Sequence, residues 1–289
     1  MITRGSGGTT AARSKQLLGL PGSRRTVARA INSLGFRSVA RRAKGVLTES
    51  ARVLRLAFAV AMLPLTVAQW AAKVHFCIDV KTFQYSRYPT QWGNSTQRRV
   101  YRRAGESALT HGLTRHSRSI TTGCRGVKLL AGLSWGGAAC SATLAAVFHS
   151  RWNSQTFIAM IPILVASLYE AYPSGPGPGG YWYVLMDNDP VFRAGAVVAA
   201  LETNKIRRPD FGLPWPANFQ DCNIIENSFS ECMRRLANAP PGLESRVQFE
   251  SRVRSTFLGL ESSYISSLVH SMPRRMLNVR NLNGAMTKY

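Results

Sequence analysis

Leu129 to Ser150 reads LLAGLSWGGAACSATLAAVFHS, 22 residues without a charge between Lys128 and Arg151. A helix needs about 20 apolar residues to cross a bilayer core, and this run meets that length. Gly132 and Gly136 form a GxxxG pair. Gly137 and Ser141 add small residues, and such a surface lets membrane helices approach closely. Residues 157–169 (FIAMIPILVASLY) follow a short polar loop, with Trp152 and Tyr169 placed as interfacial anchors. The two runs together predict a hydrophobic helical hairpin over 129–172, a candidate transmembrane element. A further run, 56–72 (LAFAVAMLPLTVAQWAA), is uncharged but carries Pro64 in its middle. Buried core helices would read the same way.

Charge is divided unevenly along the chain. Of 289 residues, 37 are Lys or Arg and 14 Asp or Glu, a formal net charge of +23. Residues 1–128 carry all but three of that surplus, and their only acids are Glu49, Asp79 and Glu106. So large a surplus calls for something anionic: nucleic acid, anionic lipid or an acidic partner. Hydrophobic residues make up 45% of the chain, enough for a sizeable core. Five cysteines are too few for a disulfide framework.

The stretch Arg24 to Lys44 (RRTVARAINSLGFRSVARRAK) is rich in Arg and Ser and has no acid. Val27, Ile31 and Leu34 fall on one helical face, with most of the arginines off it. That is the pattern of an organelle presequence. Arg98, Arg99, Tyr101, Arg102 and Arg103 form the densest basic cluster, suited to anionic lipid or to RNA. Residues 173–180 (PSGPGPGG) read as a linker, 181–186 as a short strand or buried segment, and 223–237 and 243–271 as mainly helical.

The chemical motifs are sparse. Gly132-Leu133-Ser134-Trp135-Gly136 resembles the nucleophile elbow of α/β-hydrolases, which would make Ser134, Asp189 and His270 a catalytic set in the family's chain order. Cys222 and Cys232 are spaced as C-x9-C and resemble half of the twin C-x9-C hairpins of the mitochondrial intermembrane space, which would imply a disulfide. Asp187 and Asp189 could offer oxygens to a divalent cation, but the pair alone is non-specific and a turn is the reading it favours. Tyr169 to Pro190 loosely resembles the Tyr-rich strand, Pro/Gly turn and Asp-x-Asp strand end of small icosahedral virus coat proteins. No zinc-site spacing, P-loop or dinucleotide fingerprint is present.

These readings predict a mainly α, membrane-associated fold in four parts: a basic arm (1–50), an apolar helix plus basic loop region (51–128), the hairpin (129–172) and a linker with a mostly helical carboxyl-terminal region (173–289). The function that follows is structural. The chain would be a non-catalytic accessory subunit of a respiratory-chain or ATP synthase complex in the mitochondrial inner membrane. It would need no cofactor, and its partners would be neighbouring subunits and an anionic lipid such as cardiolipin. A basic RNA-binding structural protein, mitochondrial ribosomal or viral capsid, is the second reading. A serine hydrolase is the third.

Overall fold

The computed structural model describes residues 15, 19, 21–40, 47–84, 99–103, 126–135, 140–177, 179–238 and 244–289, with the backbone alone at 37–40, 84 and 99–103. The chain forms two compact units, Met1–Val46 with Thr90–Thr122, and Leu47–Pro89 with Gly123–Tyr289. In the first unit, helix α1 (Arg24–Ser33) starts at Ser23, whose side chain accepts from the Thr26 amide. Its spacing buries Val27 and Ile31, one turn apart. The helix ends sooner than the amphipathic pattern predicts. Leu34 is exposed, and Gly35, at φ 81°, turns the chain into strand β1 (Phe36–Ala40). That strand pairs antiparallel with β3 (Arg99–Arg103), so four members of the basic cluster lie on a strand rather than in a loop. Arg98 lies outside the described residues.

The second unit is built on a five-stranded sheet. Strands β2 (Phe76–Gln84), β4 (Gly126–Ser134), β5 (Ala142–Phe148), β6 (Trp182–Met186) and β7 (Ile206–Arg207) stand in the order β5-β4-β2-β6-β7. The β2–β4 and β4–β5 pairs are antiparallel, and β2–β6 and β6–β7 are parallel. The fold is therefore mixed α/β, which corrects the mainly α, membrane-associated expectation.

The error lies in Leu129–Ser150. The run is the β4–β5 hairpin, not a helix. Every residue from Leu129 to Trp135 is buried, because β4 has a strand on each edge and helices over both faces. A strand covered on both faces loses its polar alternation and reads as one apolar stretch. Gly132 is not a helix-packing residue but sits in β4 beneath an aromatic ring. A Cβ there would lie 2.2 Å from Cε1 of Phe76. Gly136 and Gly137 lie outside the described residues.

Helices cover both faces. On one face α4 (Ser154–Ala171) packs Phe157, Ile161, Leu164 and Leu168 against Phe76, Ile78, Leu130 and Leu144, together with α5 (Pro190–Arg193) and α6 (Gly195–Thr203). Among the described residues α4 alone is long and apolar enough to cross a membrane as a single helix, and it is the core helix of this layer. The run 56–72 splits into α2 (Glu49–Met62) and α3 (Val67–Lys73), bent by 111° at the break around Pro64. On the other face lie α7 (Ile224–Asn238), α8 (Arg246–Leu258), α9 (Ser262–His270) and α10 (Met272–Asn281), with α10 against α2. The period of two along β2 sends Phe76 and Ile78 to the first face. Phe83 goes to the second, where its ring meets Phe229 of α7.

Candidate functional site

Asp79 lies in the middle of β2, in the stretch FCIDV, as the acid of an otherwise apolar strand core. Strand β6 runs parallel beside β2 with Ile78 level with Met186. The next step along that register brings Asp79 beside Asp187, which follows the last residue of β6. On parallel strands, side chains level with each other leave the same face, about 4.8 Å apart. That face is the one covered by α7, which presents Glu226 in its first turn.

The three carboxylates feel one another. Burial pushes the Asp79 carboxyl well above the ordinary carboxylate range, and the charges of Asp187 and Glu226 push it further. Asp187 is also raised, first by burial, with Asp189 and Glu226 adding to it. Asp79 Oδ1 accepts from the Val80 amide at 2.7 Å, and Asp187 Oδ1 from the Asp189 amide at 2.9 Å. Glu226 Oε2 receives Lys81 Nζ at 3.1 Å. The surroundings hold Asp187 firmly. Arg208 donates to the Met186 carbonyl at 3.0 Å and to the Asp187 carbonyl at 2.9 Å. Asn188 Nδ2 donates to the Trp215 carbonyl at 2.7 Å, closing the loop over the strand end.

Asp79, Asp187, Asn188, Trp215 and Asn223 line a cleft of about 270 Å³ with the segment 216–220. Its donor set is oxygen, the preference of a hard divalent cation such as Mg²⁺ or Mn²⁺. Among the described residues no three acid, histidine or cysteine side chains close on a single point as they stand. Glu226 is turned to Lys81, whose ammonium now supplies it with positive charge. Like-charged, desolvated carboxylates are stabilised by a cation placed among them, so the chemistry of the site fits such an ion.

The sequence-derived candidates are dispersed. Ser134 is buried at the end of β4, where its Oγ accepts from the Ser141 amide at 2.8 Å and holds the neck of the β4–β5 hairpin. Asp189 caps α5 through the Val191 amide at 2.7 Å and accepts from Trp152 Nε1. His270 Nδ1 lies 2.8 Å from the Ser266 carbonyl oxygen in its own helix. No hydrolase relay joins them. Cys222 and Cys232 are both buried, and no disulfide joins them. Burial pushes the Cys232 thiol up to about 12, that of an inert core residue. Both members of the Asp-x-Asp pair line the cleft with Asp79, and Asp189 also serves the turn as the cap of α5. Tyr169 is on helix α4, not on the strand that the coat-protein resemblance implies. Asp79 and Glu226 went unremarked as ligands. The available signal was an acid set inside a strand core in a region nearly free of acids.

No family model matches the chain. It is 30% identical over 113 residues to the Tcb1 transposable element transposase of Caenorhabditis briggsae, a stretch covering 38% of each chain. The alignment thus spans under two fifths of that curated relative. The fold matches solved structures of the Mos1 mariner transposase more broadly. The Mos1 catalytic domain with raltegravir and Mn superposes with a TM-score of 0.60 at 13% identity, covering 84% of this chain and all of that one. The pre-cleavage Mos1 transpososome gives 0.64 at 16% identity, over 97% of this chain and 76% of that one. The fold is that of a mariner transposase catalytic domain, ribonuclease-H-like, at identities that establish the fold alone. These findings overturn the accessory subunit of a respiratory-chain or ATP synthase complex, its place in the mitochondrial inner membrane, and its partners among complex subunits and cardiolipin. The RNA-binding structural protein and the serine hydrolase do not fit either.

Proposed function

We propose that this chain is a DNA transposase catalytic domain of the Tc1/mariner kind. Its reaction is phosphodiester cleavage and strand joining at DNA ends, assisted by a divalent cation. The observation that carries the proposal is the placement of Asp79 and Asp187 side by side on two parallel strands, with Glu226 on the helix packed against β2 and near enough for its charge to act on both. The relatives supply the substrate class. The Tcb1 relative is a transposase, and the Mos1 structures include a paired-end complex with a transposon end and a strand transfer complex. Two catalytic-domain structures of Mos1 carry Mn or Mg.

Asp79, Asp187 and Glu226 would hold the cation. The chemistry such a cation would supply there is polarisation of the phosphate and a lowered pKa for the attacking water or hydroxyl. The chain's own residues do the rest. Arg208 fixes the end of β6, and with it the direction of the Asp187 carboxylate. Lys81 orients the Glu226 carboxylate through their ion pair at 3.1 Å. The basic residues that dominate 1–128 meet the phosphate backbone, which makes binding strongly salt-dependent.

The test uses the full chain with supercoiled plasmid and with pre-cut oligonucleotide duplexes in Mn²⁺ or Mg²⁺. We expect nicking and strand joining. Asp79→Asn and Asp187→Asn should each reduce the rate by about 10³-fold or more while leaving the fold intact. Wild-type rates in both variants would overturn the proposal.

A further inference from the structure

Asn223 occupies an unusual position in this site. It directly precedes Ile224, the first residue of α7, and lies three residues before Glu226. An Asn so placed normally caps the helix, its side-chain oxygen accepting an amide of the first turn. Here it does not. The Glu226 amide goes to the backbone carbonyl of Asn223 at 3.2 Å. Oδ1 of Asn223 is buried and has no hydrogen-bond partner among the described residues. The residue is 3% exposed and lines the cleft that holds Asp79 and Asp187. A buried carbonyl oxygen left unpaired is destabilising. Such an orphan in a native structure points to a ligand that completes it.

We infer that Asn223 supplies a fourth, neutral oxygen to the cation site formed by Asp79, Asp187 and Glu226. The inference rests on the carboxylate reading above and extends it. Carboxamide oxygens are ordinary ligands of hard divalent cations. A neutral oxygen also suits this place, because Asp189 lines the same cleft and already adds to the repulsion on Asp187, which a further carboxylate would deepen. The backbone holds the residue firmly. Its amide donates to the carbonyls of Phe219 and Gln220 at 3.1 Å each. The adjoining Asp221 is anchored by Arg55. The side chain therefore approaches the cleft from a fixed base, as a metal ligand requires.

The test measures Mn²⁺ alone, by titrating the metal-free full chain and following free Mn²⁺ by electron paramagnetic resonance. Thermal melts of each variant check the fold. Asn223→Ala should weaken Mn²⁺ about tenfold, the scale on which supporting groups act at metal sites. Asn223→Asp keeps an oxygen in place and should bind at least as tightly as wild type. Asp79→Asn should bind Mn²⁺ too weakly to detect. Wild-type affinity in Asn223→Ala, with binding lost in Asp79→Asn, would overturn the role of Asn223 and leave the carboxylate site standing. Wild-type affinity in both variants would overturn the carboxylate site itself. If Asn223→Ala does not fold, Asn223→Leu decides, since it keeps the side-chain volume and removes the oxygen; wild-type Mn²⁺ affinity there refutes a ligating role.

Discussion

Two groups of buried charge lie a few residues apart on this chain and are treated in opposite ways. Arg55 and Asp221 are 0% and 1% exposed at their side chains and fully answered. All five guanidinium N–H donors of Arg55 find acceptors: both oxygens of Asp221 at 2.8 Å each, and the carbonyls of Asn218, Gly284 and Ala285. Asp221 also receives the Thr287 amide, and Arg275 donates to its carbonyl. Burial works to raise the Asp221 carboxyl, but the hydrogen bonds and charge of Arg55 outweigh it and hold it below the ordinary value. At Asp79 the same burial is reinforced by neighbouring carboxylates, and the shift goes up. One charge is finished by the fold. The other is opposed by its neighbours. The satisfied pair ties α2, the loop before α7 and the carboxyl-terminal tail together, and that loop carries Asn223 to the cleft.

The comparison can be broken from either side. The largest effect is on the reaction, in the roughly 10³-fold losses expected of Asp79→Asn and Asp187→Asn. The next is on stability. Arg55→Ala leaves Asp221 buried without its cation and should cost about 3–5 kcal/mol in urea unfolding. A cost below about 1 kcal/mol would show that the knot is not the anchor described. Gly132→Ala places a methyl group into the Phe76 ring and should cost about 1–3 kcal/mol by the same measurement. Asp79→Asn should act in the other direction. With one repelling charge gone, the metal-free protein should gain about 0.5–2 kcal/mol while losing its stabilisation by Mn²⁺. A destabilised Asp79→Asn protein would mean that the carboxylates are not in conflict.

The smallest effect is on the shape of the pH profile. Asp79 and Asp187 bind their protons more tightly folded than unfolded. Their contribution therefore falls as pH rises from the ordinary carboxylate range through their raised folded values. Asp221 is shifted down, so its contribution is present above the unfolded value of about 4 and is lost as pH falls through the lower folded one. Metal-free protein should therefore be most stable on the acid side of neutral. Urea midpoints across pH should show that slope in wild type and a flatter one in Asp79→Asn. Equal slopes would place the raised groups elsewhere.

The sequence by itself determined a good deal. The helical spacing of Val27 and Ile31 is a local property, and it is present in the fold. Asp187 was visible as a possible oxygen ligand because Asp189 stands two residues away. Tertiary structure alone decided what those properties meant. Leu129–Ser150 is a strand hairpin because strands flank β4 and helices cover it, and burial on both faces erases the periodicity that separates strand from helix. Asp79 comes near Asp187 and Glu226 only because a crossover returns the chain as a parallel strand beside β2 and α7 then packs against β2. No spacing within a single segment encodes a contact of that kind. The site was legible as one carboxylate, and the fold supplied its partners.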